Sequence, residues 1–523
     1  METLKQLIKE AADQYGSRPA FMVREKSRFE PVTYLQLKEE TEMLAVGMLK
    51  IGLKEKHIAV IGKNSYLWIL SFLAITGDVG ICVSLDAQLS QEELENLTKR
   101  GEADAVIYSE ETESKILELK EKIPGLILIS MGKSEASDYS IKELMELGKV
   151  GAGSVKGKEL IPEEFRILLF TSGTLGNAKG VMLSHKNICS NIMDELDRVD
   201  APPGTRVLSY LPIHHIYEMS FGILRALYQG AVIYFSRGGR HLFADLKEIR
   251  PEFFSAVPAI VENFYRTASS KAGEDREETQ KVFLEMFGGK LRILVSGAAP
   301  LNKQVHCAMR DMPFCFLSGY GLTETSPVIS VDDGETVPGS CGKLLDGIQA
   351  RIEGADEDGT GELWVKGPNV MLGYYRDEAA TMECLKDGWF HTGDTGYLRG
   401  QQLFLKGRRK NVIVLANGKK VSPEEVEQKL SEIPEVHTCL CRLSEDKRGL
   451  EAEIYPVPEL FKQHENDRSA IFEILQERIQ EFNKDQVYYK RIVSIRLRMV
   501  DFERTTTKKV KRGQLYERRT ETD

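Results

Sequence analysis

Short apolar runs rich in β-branched and aromatic residues alternate with helix-patterned stretches through most of this chain. The runs Ile58–Ile61, Phe165–Phe170, Val207–Leu211, Ala231–Phe235, Phe253–Val257 and Leu291–Val295 predict strands. Their alternation with helical segments predicts α/β layers with largely parallel sheets. Met1–Ala12 places Leu4, Leu7, Ile8 and Ala11 on one face of an amphipathic helix, the periodicity of a surface helix rather than of a secretory leader. Tyr66–Gly77, the most apolar stretch, is too short to span a bilayer and runs straight into Asp78, which predicts a buried core helix.

From about Gly354 the texture changes to Gly- and Asp-rich turns at 356–361, 387–388 and 393–394. The basic segment Lys406-Gly-Arg-Arg-Lys410 then reads as a linker. Ser422-Pro-Glu-Glu425 reads as a helix start, with Ser as N-cap, Pro at the first helical position and Glu closing a capping box. A compact α+β domain is expected over residues 409–523, leaving 1–408 as the larger one. No repeat or low-complexity segment interrupts either part.

A length of 523 residues exceeds one ordinary core and supports the two-domain reading. Eight scattered cysteines with no CxxC pair argue against a metal cluster or disulfide framework and suit a reducing cytoplasm. Cys439 and Cys441 share one strand face and are expected to be buried. The net charge of -9 argues against a general nucleic-acid binder. The charge is uneven, however. Residues 409–523 hold 23 basic and 21 acidic side chains, and 484–519 hold 12 basic against 4 acidic. Such a tract is a solvated face or a surface that meets phosphates.

The most informative stretch is Phe170-Thr-Ser-Gly-Thr-Leu-Gly-Asn-Ala-Lys-Gly-Val181. Three glycines let backbone N–H groups approach an anion, three hydroxyls donate to phosphate oxygens, and one lysine neutralises charge. A Walker A loop fails on spacing: counted from Gly173, position 178 is Ala instead of Gly, and 180 is Gly instead of Ser or Thr. Val181-Met-Leu reads as a second strand, with the helix starting near Ser184. Strand–loop–strand is not the strand–loop–helix of a P-loop kinase.

Thr171–Gly180 closely resembles the phosphate-binding signature of the adenylate-forming superfamily, which includes acyl-CoA synthetases, peptide-synthetase adenylation domains and beetle luciferases. Leu211-Pro-Ile-His-His-Ile-Tyr-Glu218, Ser296-Gly-Ala-Ala-Pro-Leu301, Gly319-Tyr-Gly-Leu-Thr-Glu-Thr325, Asp387-Gly-Trp-Phe-His-Thr-Gly-Asp394, Gly407-Arg-Arg-Lys410 and Thr505–Arg512 follow in that family's order. Within it, the sequence resembles bacterial long-chain fatty-acid–CoA ligases. The resemblance implies a large N-terminal AMP-binding domain of layered α/β sheets with a small β-barrel-like part, followed by a small mobile α+β domain.

It also implies residue roles. Ser172, Gly173, Thr174, Gly176 and Lys179 would wrap the β- and γ-phosphates of ATP, and Thr171 and Glu324 would hold Mg²⁺. Gly297, Ala298 and Ala299 would form the adenine slot, with Tyr320 stacking on the ring, and Gly321 and Thr323 would belong to the nucleotide-binding set. Asp394 would accept the ribose hydroxyls, and Arg408 would contact ribose or phosphate. Lys509 would bridge the carboxylate and the α-phosphate, His215 would stand at the carboxylate pocket, and Lys410 would be the hinge. Three positions depart from the pattern: Leu175 for Thr, Ala178 for Pro, and Lys508 for Gly. The first removes a hydroxyl donor and the second loosens the backbone.

The expected reaction is attack of a carboxylate on ATP to give acyl-AMP and pyrophosphate, then transfer to a thiol. Coenzyme A is the first expectation for that thiol, acyl carrier protein the second. A non-catalytic ATP- or acyl-AMP-binding regulator is the rival of a different class. A fatty acid is the expected carboxylate, and Phe221–Phe235 is either a wall of its tunnel or core packing. A cytoplasmic protein with at most peripheral membrane contact is expected.

Overall fold

The structure, a computed structural model, describes residues 1–150, 160–171, 178–273, 275–334, 337, 339–416, 419–445, 449–505 and 510–512. Two large sheets form its centre. In the first, His57–Ile61 pairs in parallel with Ile81–Leu85 and Ala105–Tyr108. Phe165–Phe170 extends it past Ile81–Leu85, and Gly180–Ser184 and Gly373–Tyr374 then add in antiparallel sense. In the second, Val232–Phe235, Arg206–Ser209, Phe253–Ala256, Ile293–Ser296 and Cys315–Gly321 lie parallel. Beyond Cys315–Gly321 that sheet turns antiparallel through Val328–Val331, Lys343–Leu344, Gln402–Arg408, Trp389–Arg399, Gly361–Lys366 and Gln349–Glu353.

All six strands expected from the apolar runs are present, within two residues at each end. They are apolar throughout because parallel strands between layers are covered on both faces. One hydrophobic cluster takes Ile58, Val60, Ile167 and Leu169 from the first sheet and Val207, Phe253, Ile293 and Val295 from the second. The helix Tyr66–Ala74 is buried at every position but Leu67, as its composition predicts. The amphipathic start is the helix Leu4–Tyr15, which buries Leu4, Leu7, Ile8 and Ala11. No helix among the described residues is long and apolar enough to cross a membrane.

The helices Tyr34–Lys50 and Ile141–Lys149 cross unusually closely. A Cβ on Gly47 would run into the Leu144 carbonyl, and one on Gly148 into the Met43 carbonyl. Both obstacles are backbone, so only a shift of the helix axes could relieve them. Gly148→Ala is therefore expected to destabilise by about 1–3 kcal/mol despite the better helix propensity of alanine, read as a lower urea midpoint. Gly77→Ala, whose Cβ meets nothing nearer than 3.8 Å, should shift the midpoint much less.

In the C-terminal part, Val436–Leu443, Leu450–Pro456 and Ile492–Leu497 form a small sheet. The helices Pro423–Leu430 and Arg468–Lys484 pack on it around Val426, Leu430, Ile454 and Leu475. Cys439 and Cys441 are buried in this core as free thiols. Two local expectations need correction. Lys406-Gly-Arg408 is the end of the strand Gln402–Arg408 rather than a linker. Ser422 does precede a helix with Pro423 at its first position, but it forms no capping box. Its hydroxyl bonds the Lys406 carbonyl (2.7 Å) and Glu424 Oε2 (3.0 Å) instead, while Glu425 pairs with Lys490 at 2.8 Å. The serine thus ties the helix to the preceding strand, and Asn302 Nδ2 donates to the Ser431 carbonyl (3.3 Å) at the helix's other end.

Candidate active site

The glycine-rich loop leaves Phe165–Phe170 and returns into Gly180–Ser184, whose Ser184 caps the helix His185–Glu195. This is the strand–loop–strand arrangement that the sequence predicts. Ser172, Gly173, Thr174, Leu175 and Gly176 lie outside the described residues. Thr171 and Lys179 close the loop's base: Thr171 N donates to the Lys179 carbonyl (2.9 Å) and Lys179 N to Thr171 Oγ1 (3.2 Å).

The Lys179 ammonium lies over the Tyr374 ring, 4.5 Å from its centre, and the Tyr374 hydroxyl donates to Glu324 Oε1 (2.9 Å). Strand pairing makes this possible, since Tyr374 sits opposite Val181 and Gly373 opposite Met182. The Met371 N–H bond to the Glu324 carbonyl (2.9 Å) fixes the carboxylate's backbone. Tyr374 was not among the residues singled out from sequence. Its only local signal is the aromatic pair Tyr374-Tyr375 after Gly373. Tyr374→Phe is expected to raise the KM for ATP a few-fold, by freeing Glu324 while keeping the face under Lys179.

Four residues before Glu324, on the strand Cys315–Gly321, Tyr320 points the other way. Its hydroxyl donates to Asp394 Oδ2 (2.6 Å), and Arg408 Nε pairs with Asp394 Oδ1 (2.7 Å). Asp394 and Arg408 face each other across paired strands. Asp394 is buried, 5% exposed. Gly321 cannot carry a side chain, because a Cβ there would run into the Pro327 carbonyl. Thr323 opens the short turn that carries Glu324.

The residues expected to form the adenine slot follow the strand Ile293–Ser296. Gly297 N donates to the Ala256 carbonyl (3.2 Å), and a Cβ on Gly297 would press on the Tyr217 ring at 3.0 Å. Ala298 adopts φ 72°, a left-handed conformation uncommon outside glycine and concentrated at functional sites. Ala299 is exposed beside it. His215 and His214 stand 4.3 Å apart, ring to ring. His214 faces Asp86 (3.5 Å), and burial lowers it to about 3, so it is neutral and structural. His215 is half-buried next to it. Lys410 lies in the short turn Arg409–Asn411 directly after the strand Gln402–Arg408. Lys508 and Lys509 lie outside the described residues.

Glu218 ends the same motif and is buried. Ser255 Oγ donates to its Oε2 (3.1 Å), and burial pushes its carboxyl from 4.5 up to about 7. A raised carboxyl binds its proton more tightly in the folded chain, so its contribution is intact below 4.5 and is lost as pH rises to about 7. Glu218→Gln should remove a fall on the order of 3 kcal/mol across that window, read as a flatter dependence of melting temperature on pH.

A family model described as "AMP-binding enzyme" matches residues 8–375, and one described as "AMP-binding enzyme C-terminal domain" matches 410–522. The chain belongs to the AMP-binding enzyme family. It is 29% identical to fatty acyl-CoA synthetase B of Dictyostelium discoideum, covering 87% of this chain and 77% of that one. It is 28% identical to human long-chain-fatty-acid–CoA ligase 1, covering 76% of this chain and 66% of that one. Among solved structures, it superposes on an anthranilate CoA ligase in complex with anthranoyl-AMP with a TM-score of 0.83 at 18% identity, covering 98% and 96% of the two chains. The adenylation domain of a carboxylate reductase from Mycobacterium chelonae gives 0.82 at 21%, covering 98% and 89%. These likenesses establish the adenylate-forming fold.

Mg²⁺ is typical of this family, and the residues present fit it. Among the described residues no group of three or more His, Cys, Asp or Glu side chains could hold a metal by itself. Thr171 and Glu324 offer a hydroxyl and a carboxylate, the hard oxygen donors of a cation that takes its remaining ligands from water and substrate phosphates.

Proposed function

We propose that this enzyme is an AMP-forming acid–thiol ligase that activates a fatty acid as acyl-AMP and passes the acyl group to coenzyme A. The observation that carries this reading is the segment Gly319–Thr325. It sends Tyr320 to Asp394 and Arg408 on one side and Glu324 to Tyr374 and Lys179 on the other. Two side chains of one segment, Tyr320 and Glu324, thus anchor the ribose acceptor Asp394 and link through Tyr374 to the phosphate-facing Lys179, a layout suited to one nucleoside triphosphate.

The reaction joins two anions, so the protein's task is positioning and charge neutralisation. Asp394 accepts from the ribose hydroxyls while Tyr320 and Arg408 hold it still. Gly297, Ala298 and Ala299 leave room for the base, and Lys179 with the loop it closes faces the β- and γ-phosphates. Lys509 supplies positive charge between the carboxylate and the α-phosphate. Mg²⁺, held by Thr171 and Glu324, would neutralise phosphate charge. His215 lines the carboxylate's approach, and rotation of residues 409–523 about Lys410 separates the two half-reactions.

Coenzyme A is favoured over acyl carrier protein because the described basic tract is largely spent within its own domain. Lys490 pairs with Glu425, Arg496 with Glu451, Arg498 with Glu453 and Arg512 with Glu427. That leaves little cation for an acidic protein partner. The decisive experiment is pyrophosphate release with ATP, Mg²⁺ and acids from acetate to oleate, with and without coenzyme A. Turnover that peaks with fatty acids and needs coenzyme A is the expected result. Pyrophosphate without coenzyme A-dependent turnover would favour the carrier protein, and none with any acid would leave only a nucleotide-binding regulator.

A further inference from the structure

Two fully buried polar side chains lie behind Tyr217, and the adenylation chemistry uses neither. Glu195 ends the helix His185–Glu195, and Arg225 follows the π-helical segment Tyr217–Leu224; both are 0% exposed. Each feels the other's charge, yet they stand beyond ion-pair distance. Arg225 donates from Nε to the Phe221 carbonyl (3.0 Å) and from Nη1 to Gln229, and its Nη2 has no partner. Neither oxygen of Glu195 has one. Buried polar groups left open in this way are rare and costly, so each calls for a group that bonds it. π-Helical segments are themselves frequent at functional sites.

The surroundings connect the pair to the reacting end of the site. The Arg225 guanidinium lies over the rings of Phe221 (4.9 Å) and Phe253 (4.7 Å), and Phe221 stacks on Tyr217 (5.6 Å), which covers Gly297. Arg225 is eight residues past Tyr217 on one continuous helical stretch, roughly 10 Å along its axis. An acyl chain passing Tyr217 and following this stretch would run over these aromatic faces toward Arg225 and Glu195.

Burial pushes the Glu195 carboxyl up to about 8, so at neutral pH it can donate as well as accept, and Arg225, lowered to about 10, keeps its charge. Of the other ionisable groups beside the pair, Asp194 accepts from Gly347 N (3.2 Å) and Glu218 from Ser255. A plain hydrocarbon end would leave the open donors and acceptors unpaired.

We propose that Glu195 and Arg225 are specificity-determining residues that receive an oxygen-bearing group, hydroxyl or carboxylate, at the far end of a medium-length acyl chain. The proposal rests on the acid-activating reading above and narrows its substrate class. The test is calorimetric binding of dodecanoate, ω-hydroxydodecanoate and dodecanedioate to the full chain, repeated with the corresponding octanoate, decanoate and hexadecanoate sets. At one or more lengths an oxygenated acid should bind about tenfold or more tightly than the plain acid, since a site built to bond a hydroxyl rejects the analogue that lacks it. Arg225→Met should bring that ratio to about one, whereas Glu195→Gln, which keeps shape and hydrogen bonding, should retain most of it.

Equal or weaker binding of the oxygenated acids at every length by the unaltered protein overturns the proposal without any variant. So does a preference that survives Arg225→Met in a protein that melts like the wild type. Pyrophosphate release with the same acids reports on the ligase reading separately. A binding preference without pyrophosphate would leave this site standing and sink the ligase.

Discussion

Lys509→Ala should slow acyl-AMP formation by about 10²–10³-fold, the loss seen when one preorganised donor to developing charge is removed. It should leave transfer from supplied acyl-AMP to coenzyme A within a few-fold of wild type. The asymmetry follows from the charges. Adenylation brings a carboxylate onto a triphosphate, and a point charge between them is worth most while both are forming the pentavalent phosphorus. Thiol attack on acyl-AMP expels a phosphate monoester from a carbonyl carbon, a different centre.

The stretch around Lys509 is tethered at both ends. Arg504 and Val510 form an antiparallel bridge, Lys511 N donates to the Glu503 carbonyl (2.8 Å), and Arg512 pairs with Glu427. A single side-chain deletion at 509 should therefore leave these flanking contacts in place. ATP–pyrophosphate exchange measures the first half-reaction and thioester formation the second. Lys508→Ala separates the two lysines: it should slow exchange far less. Equal loss of both half-reactions in Lys509→Ala would show that the lysine acts on the fold or on the thiol instead.

The parallel strands were legible because burial on both faces writes an unbroken apolar run, as in Ile293–Ser296, and nothing distant is needed to interpret it. The antiparallel end of the second sheet was not. Gly361–Lys366 and Trp389–Arg399 bury alternate positions only, and in a turn-rich stretch that weak period-two signal reads as loop. Ser422 shows a different limit. The local cap chemistry was sound, but the Lys406 carbonyl, 16 residues earlier, competed for the hydroxyl.

Glu324 and Asp394 could be named from the motifs around them, yet their partners could not. Tyr374 reaches Glu324 only because residues 373–374 pair with residues 181–182, nearly two hundred positions away in the chain. Arg225 and Glu195 were invisible for the same reason. Within Phe221–Phe235 the arginine looks like a surface break in an apolar run, and only the fold shows it enclosed.

Asp394→Ala is the second substitution expected to have a large effect: a fall of about 10²–10³-fold in kcat/KM for ATP, with most of the change in KM. Asp394 is nearly buried and already satisfies two groups, the Tyr320 hydroxyl at 2.6 Å and Arg408 at 2.7 Å, while Thr392 Oγ1 accepts from its own N–H at 3.0 Å. Removing the carboxylate would lose the charge-assisted bonds proposed for the ribose hydroxyls, each worth about 1.5–3 kcal/mol. It also leaves Arg408 without its anion and Tyr320 without its acceptor. Arg408 is 40% exposed, so water can re-solvate it and the fold should survive with a lower melting temperature.

Two further variants divide the effect. Tyr320→Phe keeps the ring and the carboxylate and should cost ATP binding about tenfold or less, because only the hydroxyl that orients Asp394 is gone. Asp394→Asn keeps the shape but puts an amide against Arg408, so it should lie closer to alanine than to wild type if charge matters most. An Asp394→Asn enzyme with wild-type KM for ATP would mean that shape, not charge, holds the ribose. Asp394→Ala with unchanged KM would move the ribose away from this carboxylate altogether.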